Sequence, residues 1–349
     1  MKRSRASALV LTAASLPVFG RCAGAGWLSA LLGGVLAACL LTTLDRLLGE
    51  RSLSEAADLG RAGSIAAGIL AVALVGLALW TGWRTGFAFR ETAGNPLAVW
   101  LVLALAWAAA KHGTAVPARC AAVLLPLLAA LYGAVLAFAL PELRLDWLRP
   151  RWSLREVLRC WGYLLLPGAA LCCAGRQPGA LTRGAWASAL LAAWAAAVTG
   201  GLLSPALASE PNGFLTASRS VSLLGVMQRF EALISAARLM SGFCLCAILL
   251  VACRSLIGGL TPPRAGDRIF NVIPVVLIPL CIIRIPNLLR WSGLIAICSG
   301  LPAGILLCLG GKRNFQKSKK TLDILAPLRY YISARCGRGA QTSANERNF

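Results

Sequence analysis

Apolar residues in this chain come in long blocks, and the blocks are separated by short charged turns. The clearest block runs from Val123 to Leu140 and is interrupted only by Pro126, Tyr132 and Gly133. It follows the turn Lys111-His112-Gly113, stops at Pro141, and passes into an acidic-then-basic aromatic loop that reaches Pro150. About 18 apolar residues are enough to cross a bilayer as a helix. A membrane barrel would alternate apolar and polar residues instead. Blocks of this kind recur along the chain and predict ten spans, at 6–19, 27–44, 64–83, 96–110, 116–140, 160–174, 184–203, 230–253, 269–285 and 288–309. The expected fold class is an all-α polytopic membrane protein. Its single transmembrane domain covers 1–311, and a basic tail covers 312–349.

Composition supports this. The chain is 58% hydrophobic and 14% charged, with a mean hydropathy of +0.72. Soluble domains carry about a quarter charged residues, so a water-soluble fold of 349 residues has too little polar surface here to cover itself. The net charge of +22 would suggest nucleic acid in a soluble protein, but here the basic residues sit in turns and in the tail. That placement suits an anionic inner leaflet, and no nucleic-acid partner is expected. Of the 35 basic residues, 21 fall in the alternate segments that include the N-terminus and the tail, and 12 fall in the other set. This bias predicts both termini on the cytoplasmic side.

The chemistry of a soluble enzyme is missing. No Gly-rich nucleotide loop follows a predicted strand, and no triad spacing is present, so the chain is not expected to be an enzyme. The 13 cysteines are scattered, mostly inside apolar runs, and His112 is the only histidine. No cofactor or metal site is predicted from that set. The single histidine lies in a turn and reads as solvated.

Two of the expected spans stand out. The stretch 6–19 follows Lys2, Arg3 and Arg5, so it reads either as a signal peptide or as a first helix broken at Ser15-Leu16-Pro17. The sixth span is also short and carries Pro167-Gly168. Short, Pro/Gly-interrupted segments five helices apart are the signature of discontinuous helices in an inverted repeat. A proline that merely kinks a membrane helix is the plainer alternative. Arg238 lies about two turns inside the eighth span, where a charge is costly and marks either function or a snorkelling side chain. Arg229 and Glu231 flank the mouth of that span as a charge pair or a conformational or subunit contact. Trp80 and Trp83 end the third span and read as an interfacial belt.

Three stretches, in order, resemble the spore-germination permease family, the GerAB-like B subunits of nutrient germinant receptors in the amino acid–polyamine–organocation transporter superfamily. The first is Gly26-Trp27-Leu28-Ser29 through Gly34. The second is Leu140-Pro141-Glu142-Leu143 continuing to Asp146, Leu148 and Pro150, similar to the family's "LPNLDLDNLLP". The third is Gln228-Arg229-Phe230-Glu231-Ala232-Leu233, similar to "ERLEAL". The resemblance covers roughly residues 6–320 and implies a LeuT-like 5+5 inverted repeat, with one repeat at about 6–140 and the other at about 157–311. Helices one and six would be broken there and would hold a small nutrient such as an amino acid, with Thr12, Ser15, Pro17, Tyr163, Pro167 and Gly168 as the ligand-binding candidates. It also implies A- and C-type receptor subunits as partners in the inner membrane of a spore-forming bacterium. The chain departs from the family's pattern in three places. Thr12 to Pro17 replaces a Gly-rich break, the Tyr163–Pro167 stretch carries no acid, and Arg238 stands where the family has Trp.

Overall fold

The computed structural model describes residues 3–48, 52, 54, 61–93, 97–148, 150–174, 179–203, 213–220, 230–262 and 265–272. Two long helices, α3 (Arg61–Ala93) and α9 (Phe230–Leu260), lie along each other and form the most extensive contact in the bundle. Around them stand α1 (Arg3–Pro17), α2 (Trp27–Leu48), α4 (Leu97–Lys111), α5 (Ala115–Ala139), α6 (Leu154–Cys173) and α7 (Ala180–Leu202), with a short α8 (Gly213–Ser220). The described residues are helices and turns, without strands. The ninth and tenth expected spans, apart from 269–272, and the basic tail lie outside the described residues.

The helices wear their apolar side chains outward. Ile65, Ile69 and Val72 make an exposed stripe on α3, and Trp186, Leu190 and Trp194 make another on α7. Both stripes follow helical spacing. Val72 is 74% exposed and Val123 on α5 is 74% exposed. In water such faces would need a partner; in a bilayer the acyl chains supply it. Six helices are long and apolar enough to cross a membrane among the described residues, and Leu101–Lys111 is a shorter apolar one. The protein is an integral multi-pass membrane protein.

Inside, small residues let the backbones approach, as membrane helices do where lipid removes the hydrophobic drive. Gly33 on α2 sits against α6, where an added Cβ would lie 2.6 Å from the Val157 carbonyl oxygen. Gly34 meets Ala189 of α7 in the same way, and Gly184 of α7 meets Val10 of α1. Thus α2 packs on α6 and α7, and α7 packs on α1 and α2.

Polar groups are used at the helix ends. The Gly26 amide, just before α2, donates to Glu156 Oε2 at 3.1 Å. The Gly179 amide, just before α7, donates to Asp45 Oδ2 at 2.8 Å, and the Thr182 hydroxyl adds a bond of 3.1 Å to the same oxygen. Each carboxylate satisfies donors that a helix start leaves orphaned. These two caps lie at opposite ends of α2, since Asp45 is near its finish. Trp27 Nε1 donates to the Leu148 carbonyl, and the Ser153 amide donates to Ser29 Oγ, which holds the 140–153 loop onto the start of α2. At the other end Arg254 donates to the Lys111 carbonyl and pairs with Asp267 at 3.0 Å.

The first span packs as a helix of the bundle, with Leu9, Ala13 and Phe19 buried. Its expected break is displaced and milder. The α-helix runs through Ser15 and Leu16 to Pro17, and Val18–Cys22 then forms a π-helical turn closed by the Ala23 amide on the Val18 carbonyl at 2.8 Å. Helix six shows no break at Pro167-Gly168: α6 is continuous from Leu154 to Cys173 with Pro167 inside it. Such a proline is tolerated in membrane helices because neighbouring groups re-satisfy the freed carbonyl. The short α8 is tucked in, with Phe214 buried against Phe19 at a ring separation of 4.7 Å.

Candidate functional site

Four helices converge and leave a cavity between them. From α1 and its π turn come Leu16, Pro17, Gly20 and Arg21; from α3 come Trp80, Thr81 and Thr85. Tyr163 and Leu166 enter from α6, and Arg238 and Leu245 from α9. The space between them is a narrow cleft of about 30 Å³, closed down by the surrounding side chains.

Each wall has a local cause. The π turn after Pro17 offsets the chain and brings Gly20 to the cavity, where the missing side chain leaves room for the Arg238 guanidinium; a Cβ there would lie 3.4 Å from Nη2. Single π turns of this sort occur often at functional sites. On α3 the Thr85 hydroxyl donates to the Thr81 carbonyl at 2.7 Å, so its methyl and oxygen face α9. Gly242 lets α9 come close at that level, since a Cβ would sit 2.6 Å from Thr85. Trp80 and Tyr163 both line the cavity and stack on each other, with centroids 6.0 Å apart and planes within 12°. Two arginines line the space, and no acid does among the described lining residues. The site therefore combines a flat aromatic wall with positive charge in a low-dielectric setting, where a charged hydrogen bond is stronger than in water.

Of the sequence-predicted residues, Pro17, Tyr163 and Arg238 meet here. Arg238 is buried to 4% exposure and faces the cavity. Thr12 and Ser15 do not line this cavity. They border a separate groove of about 240 Å³ between α1, α5 and α7. Their hydroxyls are engaged: Thr12 with the Ala121 carbonyl at 3.4 Å, Ser15 with the Thr12 carbonyl and with Ser241 Oγ, each at 2.7 Å. Pro167 and Gly168 are buried against α2, and a Cβ on Gly168 would strike Leu41 at 2.5 Å. They pack helices together. Glu231 lies in the first turn of α9, and its side chain, like all of Arg229, falls outside the described residues.

Sequence reasoning missed Trp80, Thr81, Thr85, Gly20 and Arg21. Trp80 was expected at an interface, but α3 continues to Ala93, thirteen residues or about 20 Å further. Arg84 and Arg90 lie within the helix and do not end it.

No protein-family model matches the chain, and no curated protein matches it. Among solved structures it is similar to Mhp1, a nucleobase-cation-symport-1 family transporter, in a closed conformation with bromovinylhydantoin bound. The match has a TM-score of 0.58 at 18% identity, over 87% of this chain and 77% of that one. The chain has the LeuT-like transporter fold. The packing of α2 on α7 and of α3 on α9 is the pairing that an inverted repeat of this fold produces, and the cavity lies where α1 and α6 meet those long helices.

Proposed function

We propose that the cavity between α1, α3, α6 and α9 binds a small ligand that carries an anionic group and a flat apolar part. The observation that carries this reading is the buried Arg238 facing the parallel Trp80 and Tyr163 rings. A guanidinium suits a carboxylate, and a flat group suits the ring walls. An amino acid-like nutrient supplies the first feature, and a hydantoin such as the one bound in Mhp1 resembles the second. Ligand would bias a two-state movement of helices one and six, as in transporter folds built from repeats at about 6–140 and 157–311.

The finer reading is a B-type subunit of a spore nutrient-germinant receptor, with A- and C-type subunits as partners and both termini cytoplasmic. The ordered motifs at Gly26–Gly34, Leu140–Pro150 and Gln228–Leu233 support it. The second reading, a secondary permease, is favoured by the likeness to Mhp1. Reconstituted vesicles given labelled amino acids and hydantoins separate them. Uptake driven by an ion gradient supports the permease. Saturable binding without uptake, together with recovery of A- and C-type subunits from spore membranes, supports the receptor. No binding of any ligand in the panel, with Arg238→Met indistinguishable from wild type, would count against the cavity as the site.

A further inference from the structure

A second apolar groove lies on the outer face of the bundle between α4, α5 and α9. It is an open groove of about 490 Å³, walled by Leu101, Leu105, Val116, Leu124 and Phe243, with His112 among its lining residues. Leu101 and Leu105 are 58% and 51% exposed, so the groove opens towards lipid. Leu101 to His112 covers eleven residues, about 16 Å along the helix, which is the depth of one bilayer leaflet.

The His112 end is cationic. Lys111 and His112 are exposed at the finish of α4, and the Lys111 ammonium lies 3.8 Å from the centre of the Trp107 ring. Arg119 is exposed on α5, one turn from Val116, which lines the groove. The nearby carboxylate of Asp267 is held by Arg254 at 3.0 Å and does not offset these charges. An apolar slot of leaflet depth with cations at its mouth matches a lipid with an acyl chain and a negative headgroup.

We infer that this groove is a binding site for an anionic phospholipid, with the acyl chain along Leu101 and Leu105 and the phosphate between Lys111, His112 and Arg119. The site is distinct from the α1–α3–α6–α9 cavity and does not depend on what that cavity binds.

The test reconstitutes the full chain in equal mixtures of phosphatidylcholine and phosphatidylglycerol, extracts it in mild detergent, and reads retained lipid by native mass spectrometry. Phosphatidylglycerol should be retained at least tenfold over phosphatidylcholine. The K111Q/R119Q double variant should bring that ratio down towards one, and L105W, which fills the slot, should remove the retained lipid. Equal retention of both lipids by the wild type overturns the inference without any variant having to fold. So does an anionic preference that survives either change in a folded variant. Absence of retained lipid overturns it too, whether another part of the chain or a second copy takes the groove instead.

Discussion

Gly33→Ala tests the packing that sets the candidate cavity. The new methyl would lie 2.6 Å from the Val157 carbonyl oxygen, 2.8 Å from Cys160 Cβ and 3.0 Å from the Trp161 amide nitrogen. The first and third of these are backbone atoms, so no side-chain rotation relieves them. Reaching ordinary contact at 3.4 Å requires α2 and α6 to part by roughly 0.8 Å. A gap of that size forfeits a quarter to a half of the dispersion energy of each contact along the crossing. Overpacking of this kind costs about 1–3 kcal/mol, and the better helix propensity of Ala returns up to about 1 kcal/mol. The expected net loss is about 1–2 kcal/mol. Gly133→Ala on α5 is the control, since nothing lies within 4 Å of its added Cβ; it should be neutral or stabilising by up to about 1 kcal/mol. Thermal inactivation in one detergent, compared at matched scan rates, reads both. The displacement also moves Tyr163, three residues beyond Cys160, away from Trp80, so ligand binding should weaken in Gly33→Ala and not in Gly133→Ala. A Gly33→Ala protein as stable as Gly133→Ala, with unchanged binding, would refute the close crossing.

Other predictions concern single groups. Arg238→Met should lower ligand binding by at least tenfold, the worth of a charge-assisted hydrogen bond at about 1.5–3 kcal/mol; a titration with labelled ligand checks it. Trp80→Ala should weaken the same binding about ten- to hundredfold through lost apolar contact of about 1.5–3 kcal/mol. Asp45→Ala removes the partner of the Gly179 amide and the Thr182 hydroxyl and should cost about 1–2 kcal/mol, visible as a lower inactivation temperature.

The helices through α9 were legible because hydrocarbon demands long apolar blocks, and the blocks at 27–44, 116–140 and 184–203 lie within α2, α5 and α7 or run one residue past them. Arg238 was legible for the converse reason: a charge inside such a block is conspicuous. Pro167 misled: it suggested a gap, yet α6 continues past it, whereas at Pro17 the α-helix does end and gives way to a π turn. The α3 wall was illegible because that helix is apolar nearly all round, so no periodicity marks which side of Trp80 or Thr85 faces inward. The engaged hydroxyls of Thr12 and Ser15 were equally hidden, since their partners Ala121 and Ser241 come from helices far along the chain.

The two carboxylate caps bear on how the molecule can move. Glu156 ties the first turn of α6 to the start of α2, and Asp45 ties the finish of α2 to the start of α7. With Gly33 and Gly34 locking the flanks between those ends, α2 acts as a splint to which α6 and α7 are fastened. A motion that opened the cavity by carrying α2, α6 and α7 together past α3 and α9 would break neither cap. The sliding seam would then run between Tyr163 and Trp80, so the aromatic wall of the candidate site is also where the two halves of the bundle part.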